Sequence, residues 1–302
     1  MSRLSANLLL LLAGAVWGMG FVAQAEAMES IGPFLFVALR FVVAALVVLP
    51  FAWREARTAR ARGERRLTRA EFGRFGLIGL ALFGGMATQQ VGLLTTSITN
   101  SGFLTGLYVV LTPLLGIALF REWPHLVVWP AALLALVGIA LLSGGAGGLS
   151  TGDLLTMASA VFWALQVVLI ARFVGRGGRP LALSLVQFVV TAVCAGAIAL
   201  LREPIVLASV REAAPSILYA GVFASGLAFT LQAIGQRYTS APQAAIFLSS
   251  EAPFAALFGR LFGGERIAAI GFVGCGLILL AMLIVELVPL LLARRRSRRP
   301  PV

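Results

Sequence analysis

Lysine is absent: all 24 basic residues of this 302-residue chain are arginine. Only one histidine and two cysteines are present. The histidine, His125, falls in a short connection between apolar blocks, which excludes a histidine-based metal centre or catalytic triad. Cys194 and Cys275 lie inside apolar segments with no paired spacing, so neither a disulfide frame nor a thiolate metal site is readable. No phosphate-binding glycine loop, nucleophile elbow or paired carboxylate motif occurs. ATP therefore does not drive the protein directly, an enzyme embedded in the membrane has no support, and no cofactor is expected. Charge is scarce too, at 12% of residues against about 25% in soluble domains. An all-arginine basic set reads as a GC-rich coding bias and points to a bacterial source.

What fills the chain is hydrocarbon. Sixty per cent of residues are hydrophobic and the mean hydropathy is +0.97. The apolar residues come in blocks long enough to cross a hydrocarbon core of about 30 Å. Ten can be tiled, at roughly 4–24, 33–53, 72–94, 98–120, 125–143, 153–173, 180–201, 214–236, 242–262 and 267–291. The fold class is therefore all-α, a polytopic membrane protein forming a single membrane domain. Thr68 with Glu71, and Ser240 with Gln243, have capping-box spacing ahead of the third and ninth blocks. Pro33, Pro180, Pro215 and Pro242 stand at block starts, where a missing N–H is tolerated. The first block, ending in Ala23-Gln24-Ala25, also resembles a cleavable signal sequence. It is long for one, holds Trp17, Gly18 and Gly20, and recurs later in the chain.

A net charge of +12 would suit nucleic acid, but the arginines cluster between apolar blocks as orientation signals do. With a cytoplasmic N-terminus, nineteen arginines fall in inside connections. Only four, Arg202, Arg211, Arg260 and Arg266, fall outside, and Arg40 lies within a block. Both termini are expected in the cytoplasm of a bacterial inner membrane. The Arg54–Arg74 stretch is compatible with a docking patch for anionic lipid. Trp53, Trp123 and Trp129 sit at block ends, as interfacial aromatics do.

The chain also resembles itself. Pro33–Val43, PFLFVALRFVV, aligns with Pro180–Val190, PLALSLVQFVV, and Trp17 and Trp163 precede them at nearly equal distances. Gln90–Asn100 aligns with Ala233–Gln243 through Gly92/Gly235, Thr96/Thr239 and Ser97/Ser240, and the same offset carries Glu122 onto Glu265. Units of five helices each, over 1–145 and 146–302, make the second unit enter the membrane from the opposite side, an inverted repeat. The glycine-rich stretch 143–148 is the expected joint.

These residues resemble the EamA-type domain of the drug/metabolite transporter superfamily. The likeness rests on Gln236 to Ala245, Ser249-Ser250-Glu251-Ala252-Pro253, Gly264-Glu265-Arg266 and Gly152-Asp153 in the second half. In the first it rests on Trp17-Gly18, Arg40, Leu111-Thr112-Pro113 and Arg121-Glu122. Glu251-Ala252-Pro253 departs from the family, in which glutamate more often directly precedes proline. The resemblance implies ten helices and transport of small metabolites, most like bacterial amino-acid exporters of the YddG type.

Candidate substrate contacts follow from helix faces. Trp17, Phe21 and Gln24 share one face, and Trp163 and Gln166 another. An apolar wall with a few amides suits an amino-acid-sized amphipathic solute, although deep tryptophans also pack between helices. Gln89 and Gln232 match across the repeat and could equally be interhelical glue. Thr105, Tyr108 and Thr112 form a stripe on the fourth helix; Ser250 and Glu251 belong to one on the ninth. Gly14/Gly18 and Gly102/Gly106 have the spacing of close helix packing. A charge at a helix centre costs about 2.5–3.5 kcal/mol on insertion scales. Arg40 reads first as a structural charge clamped by a carboxylate, and Glu251 as a contact for a substrate amine or a proton. Pro113 and Pro253 are expected to interrupt their helices. The reading that emerges is a secondary transporter, an exporter working by alternating access on a small-molecule substrate. Proton coupling is possible and no nucleic-acid partner is expected. A passive facilitator, or an exporter of drugs or quaternary cations, are the alternatives.

Overall fold

Serine and threonine hydroxyls start many of the helices. Ser2, Thr68, Ser97, Ser150 and Ser240 each accept a backbone N–H from three residues on. Thr68 and Glu71 close the expected capping box, and Ser150 with Asp153 closes one that the sequence reading missed. At Ser240 the hydroxyl bond forms, while the Gln243 side chain accepts from Arg3 Nη2.

The computed structural model describes residues 1–142, 150–174, 178–262, 264 and 268–297. Nine of the described helices are long and apolar enough to cross a membrane. In order they are Arg3–Ala27, Pro33–Ala61, Arg69–Gly92, Asn100–Phe120, Thr151–Phe173, Pro180–Arg202, Ala214–Gly235, Ala241–Phe262 and Ala269–Pro289. A shorter apolar helix, Val128–Leu141, stands fifth in chain order, which makes ten spans. The second span runs on past its apolar block as an arginine-bearing extension to Ala61. The expected joint at 143–148, Glu265, Arg266, Arg176, Arg298 and Arg299 lie outside the described residues.

The two halves interleave. The second span packs along the seventh, the third along the sixth, the fifth along the tenth, and the first along the eighth and ninth. The second and seventh spans also cap one another. Glu203 accepts from the N–H groups of Phe34 (2.9 Å) and Leu35 (2.7 Å), at the start of the second span. Glu55 does the same for Leu181 (3.2 Å) and Ala182 (3.0 Å), at the start of the seventh. Each proline-led helix start exposes free N–H groups and a positive dipole end, and a carboxylate from its antiparallel partner answers both.

The fourth and ninth spans are broken. The fourth consists of Ile98–Thr105 and Tyr108–Phe120, the ninth of Ala241–Leu248 and Glu251–Phe262. Pro113 does not interrupt its helix: it lies inside the second piece, and the break falls at Gly106-Leu107. Pro253 acts from a distance. It lacks the N–H that Ser249 O would accept four residues on, and that carbonyl takes Ala252 N–H instead at 3.1 Å. The eighth span contains a π-helical stretch, Ala220–Leu227, for which the sequence offers no visible signal.

Candidate functional site

Close packing brings the ninth-span break to the centre. A Cβ at Gly14 would collide with Ser250, and one at Gly18 would fall 2.7 Å from the Ala255 nitrogen. Only glycines let the first span lie flat against the backbone that carries Glu251. The spacing of Gly14 and Gly18 anticipated this.

Seven spans then line one central cavity. Trp17, Gly20, Phe21 and Gln24 come from the first, Arg40 from the second, Met86 and Gln89 from the third, and Tyr108 from the fourth. Trp163 and Val167 come from the sixth, Ala224, Phe229 and Gln232 from the eighth, and Leu248 and Glu251 from the ninth. The predicted face Trp17–Phe21–Gln24 therefore turns inward as a unit, and Gln89, Tyr108, Trp163, Gln232 and Glu251 join it.

Gln166 and Ser250 do not line the cavity. The Gln166 amide is taken up by Gln232, which donates to it at 2.9 Å, and by Gln187 at 3.3 Å. Ser250 is buried beneath Gly14. The carboxylate clamp expected for Arg40 is not formed among the described residues. Its Nη1 donates to Gln24 Oε1 at 3.0 Å and its Nε to Ser225 Oγ at 2.9 Å. Its guanidinium lies 5.4 Å from the Phe41 ring centroid and 5.5 Å from that of Phe36. The arginine is 1% exposed, so two neutral oxygens and two ring faces stand in for the lost water.

The tryptophans do not face each other across open space. Phe229 stands between them, its centroid 4.7 Å from Trp17 and 5.8 Å from Trp163, almost parallel to the latter at 11°. Sequence reasoning missed Phe229, although it sits at the repeat equivalent of Met86, another lining residue. The indoles also differ in their bonding. Trp17 Nε1 donates to the Ala224 carbonyl of the π-helical stretch at 2.8 Å, whereas Trp163 Nε1 has no partner among the described residues. The Tyr108 phenol and the Glu251 carboxyl group are instead partners of one another across the cavity. A buried polar atom left unsatisfied costs about 1–3 kcal/mol, so the Trp163 N–H is a donor that a bound solute can satisfy. The cavity offers ≈ 30 Å³ to water within ≈ 470 Å³ of empty space between atoms. That holds about one or two waters, so a larger solute enters only when the wall opens.

Ten membrane-crossing helices around a central cavity of aromatic, amide and charged side chains define a multi-pass helical membrane protein built for solute transfer. The family follows from two matches along the chain: the EamA-like transporter family model fits residues 4–144 and again 150–287. The chain belongs to that family and is a transporter. It is 32% identical over 291 residues to an uncharacterized transporter of Archaeoglobus fulgidus, spanning 94% of this chain and 87% of that relative. A solved crystal structure shares the fold, with a TM-score of 0.75 at 23% identity, covering 97% of this chain and 99% of the other.

Proposed function

We propose that this transporter exports small zwitterionic metabolites, amino acids with apolar or aromatic side chains in particular, by alternating access between two inverted units at 1–145 and 146–302. One observation carries the reading. The cavity holds one guanidinium, Arg40, and one carboxyl group, Glu251, that do not pair with each other among the described residues and that come from different halves of the chain. An α-carboxylate pairs with Arg40 and an α-ammonium with Glu251, and Trp163 Nε1 and Tyr108 Oη add hydrogen bonds. The Trp17–Phe229–Trp163 stack accepts the side chain. Resemblance to exporters of the YddG type favours the outward direction.

The arginine asymmetry supports a placement of both termini in the cytoplasm of a bacterial inner membrane. Cysteines introduced at Ser30 and Thr58 test this, the first labelling from outside in sealed cells and the second only after permeabilisation. The substrate class is tested by uptake into proteoliposomes of neutral amino acids beside analogues lacking either the amine or the carboxylate. Amino acids are expected to be carried at least about tenfold faster than either analogue, since each lost partner strands a buried charge. Equal transport of a quaternary amine would overturn the zwitterion reading.

A further inference from the structure

A second cavity, of ≈ 810 Å³, opens on the arginine-rich face where the second span runs past the membrane. Arg54, Thr58 and Arg62 all line it, and their spacing of four places them in one row along that helix. Arg65 and Arg179 extend the cationic wall. The carboxylates nearby are mostly engaged. Glu55 accepts the two N–H groups at the start of the seventh span, and Glu71 is paired with Arg65 at 2.7 Å. Glu64 at the rim is exposed. The Arg54 and Arg62 guanidinium groups have no ion-pair or hydrogen-bond partner among the described residues.

Arg237 also lines the cavity, and Phe51, Phe75, Phe173 and Leu181 give the wall an apolar part. Phe51 is 56% exposed, one turn closer to the membrane centre than Arg54. Beside them Trp53, 58% exposed, carries the Arg57 guanidinium 3.6 Å over its ring. An exposed tryptophan topped by arginine marks the headgroup level of a bilayer. Membrane orientation alone asks for positive charge, not for a cavity. A helix C-terminus favours a cation in its last turn, which accounts for Arg62 but not for Arg54 two turns earlier.

We infer that this cavity is a binding site for an anionic phospholipid. The phosphate diester is held between Arg54 and Arg62 with Thr58 donating, and an acyl chain descends along Phe51. Free phosphate has no use for the apolar wall, and a zwitterionic lipid brings an ammonium group into a wall of arginines.

The test uses the purified full chain in detergent, titrated with phosphatidylglycerol or with phosphatidylcholine of the same acyl chains, bound lipid being counted by native mass spectrometry. Phosphatidylglycerol is expected to bind more tightly than phosphatidylcholine. Its apparent Kd is expected to weaken about 5-fold for R54Q or R62Q and about 30-fold for the pair. The pair R202Q/R211Q, exposed on the opposite face, removes equal charge and should change nothing. Glycerol 3-phosphate, the headgroup without chains, should fail to compete. The assignment is overturned if the two lipids bind alike, if both arginine pairs lose affinity equally, or if glycerol 3-phosphate displaces the lipid at equal concentration.

Discussion

Tyr108 and Glu251 occupy equivalent positions of the two repeats, each the first residue after the break in its span, and both reach the same cavity. The offset relating them is the one that carries Gly92 onto Gly235 and Gln89 onto Gln232. The two repeats thus bring a phenol and a carboxyl group to one cavity. The site is pseudo-symmetric in backbone and asymmetric in charge. Arg40 repeats the pattern, since its counterpart in the second half is the neutral Gln187.

Glu251→Gln replaces a buried carboxyl group with an amide of nearly equal volume, so the variant is expected to fold and to reach the membrane. Transport should fall about 10- to 100-fold, the loss for a charged hydrogen bond. Tyr108→Phe should lose less, because it deletes a single neutral hydroxyl. Paired measurements of thermal unfolding and proteoliposome uptake check this. An unfolded Glu251→Gln protein would make the carboxylate structural, and full activity would remove it from the site.

Phe229 is the wedge between the tryptophans, and Phe229→Leu should widen the space there while keeping it apolar. Preference among amino acids should shift toward bulkier side chains by about tenfold. Competition assays with phenylalanine, tryptophan and leucine would show it. An unchanged order of preference would mean that the aromatic stack is packing and nothing more.

Much of this site was legible in the sequence because helices impose a period. Trp17, Phe21 and Gln24 fall on one face by spacing alone, and the repeat singled out Trp163, Gln89 and Gln232. What could not be read depends on which helix faces which. Gln24 and Ser225 answer Arg40 from the first and eighth spans, contacts that no local pattern encodes. Gln166 shares a face with Trp163, yet a neighbouring amide captures it. The break at Gly106-Leu107 lies upstream of the proline that drew attention, because a flexible glycine can loosen a helix without a proline ring.

Gly18→Ala places a methyl group against Ala255 backbone that cannot yield, and should destabilise the protein by about 1–3 kcal/mol. Gly73→Ala is the contrast: nothing lies within 4 Å of its Cβ, and the change should stabilise the helix by about 0.5–1 kcal/mol. Unfolding midpoints of the two variants should move in opposite directions. A shared direction would contradict the packing described for the first and ninth spans.

Glu55 and Glu203 cap opposite ends of the paired second and seventh spans. Glu55→Gln and Glu203→Gln should each cost about 0.5–2 kcal/mol, the scale of a lost helix cap. The two sites are remote from each other, so their effects should add in the double variant. Thermal unfolding of the four proteins measures both quantities. No loss from either single change would make the reciprocal caps incidental.

The central claim is that one charged, aromatic-walled cavity is exposed alternately to the two faces of the membrane. Counterflow tests it most directly. Proteoliposomes loaded with an unlabelled apolar amino acid are diluted into a trace of the labelled compound, and its uptake is followed over time. The account predicts saturable, transient accumulation above equilibrium, abolished by Trp163→Ala and Glu251→Gln in protein that remains folded. Uptake that rises linearly with concentration and never overshoots would contradict it, and would make the protein a passive pore.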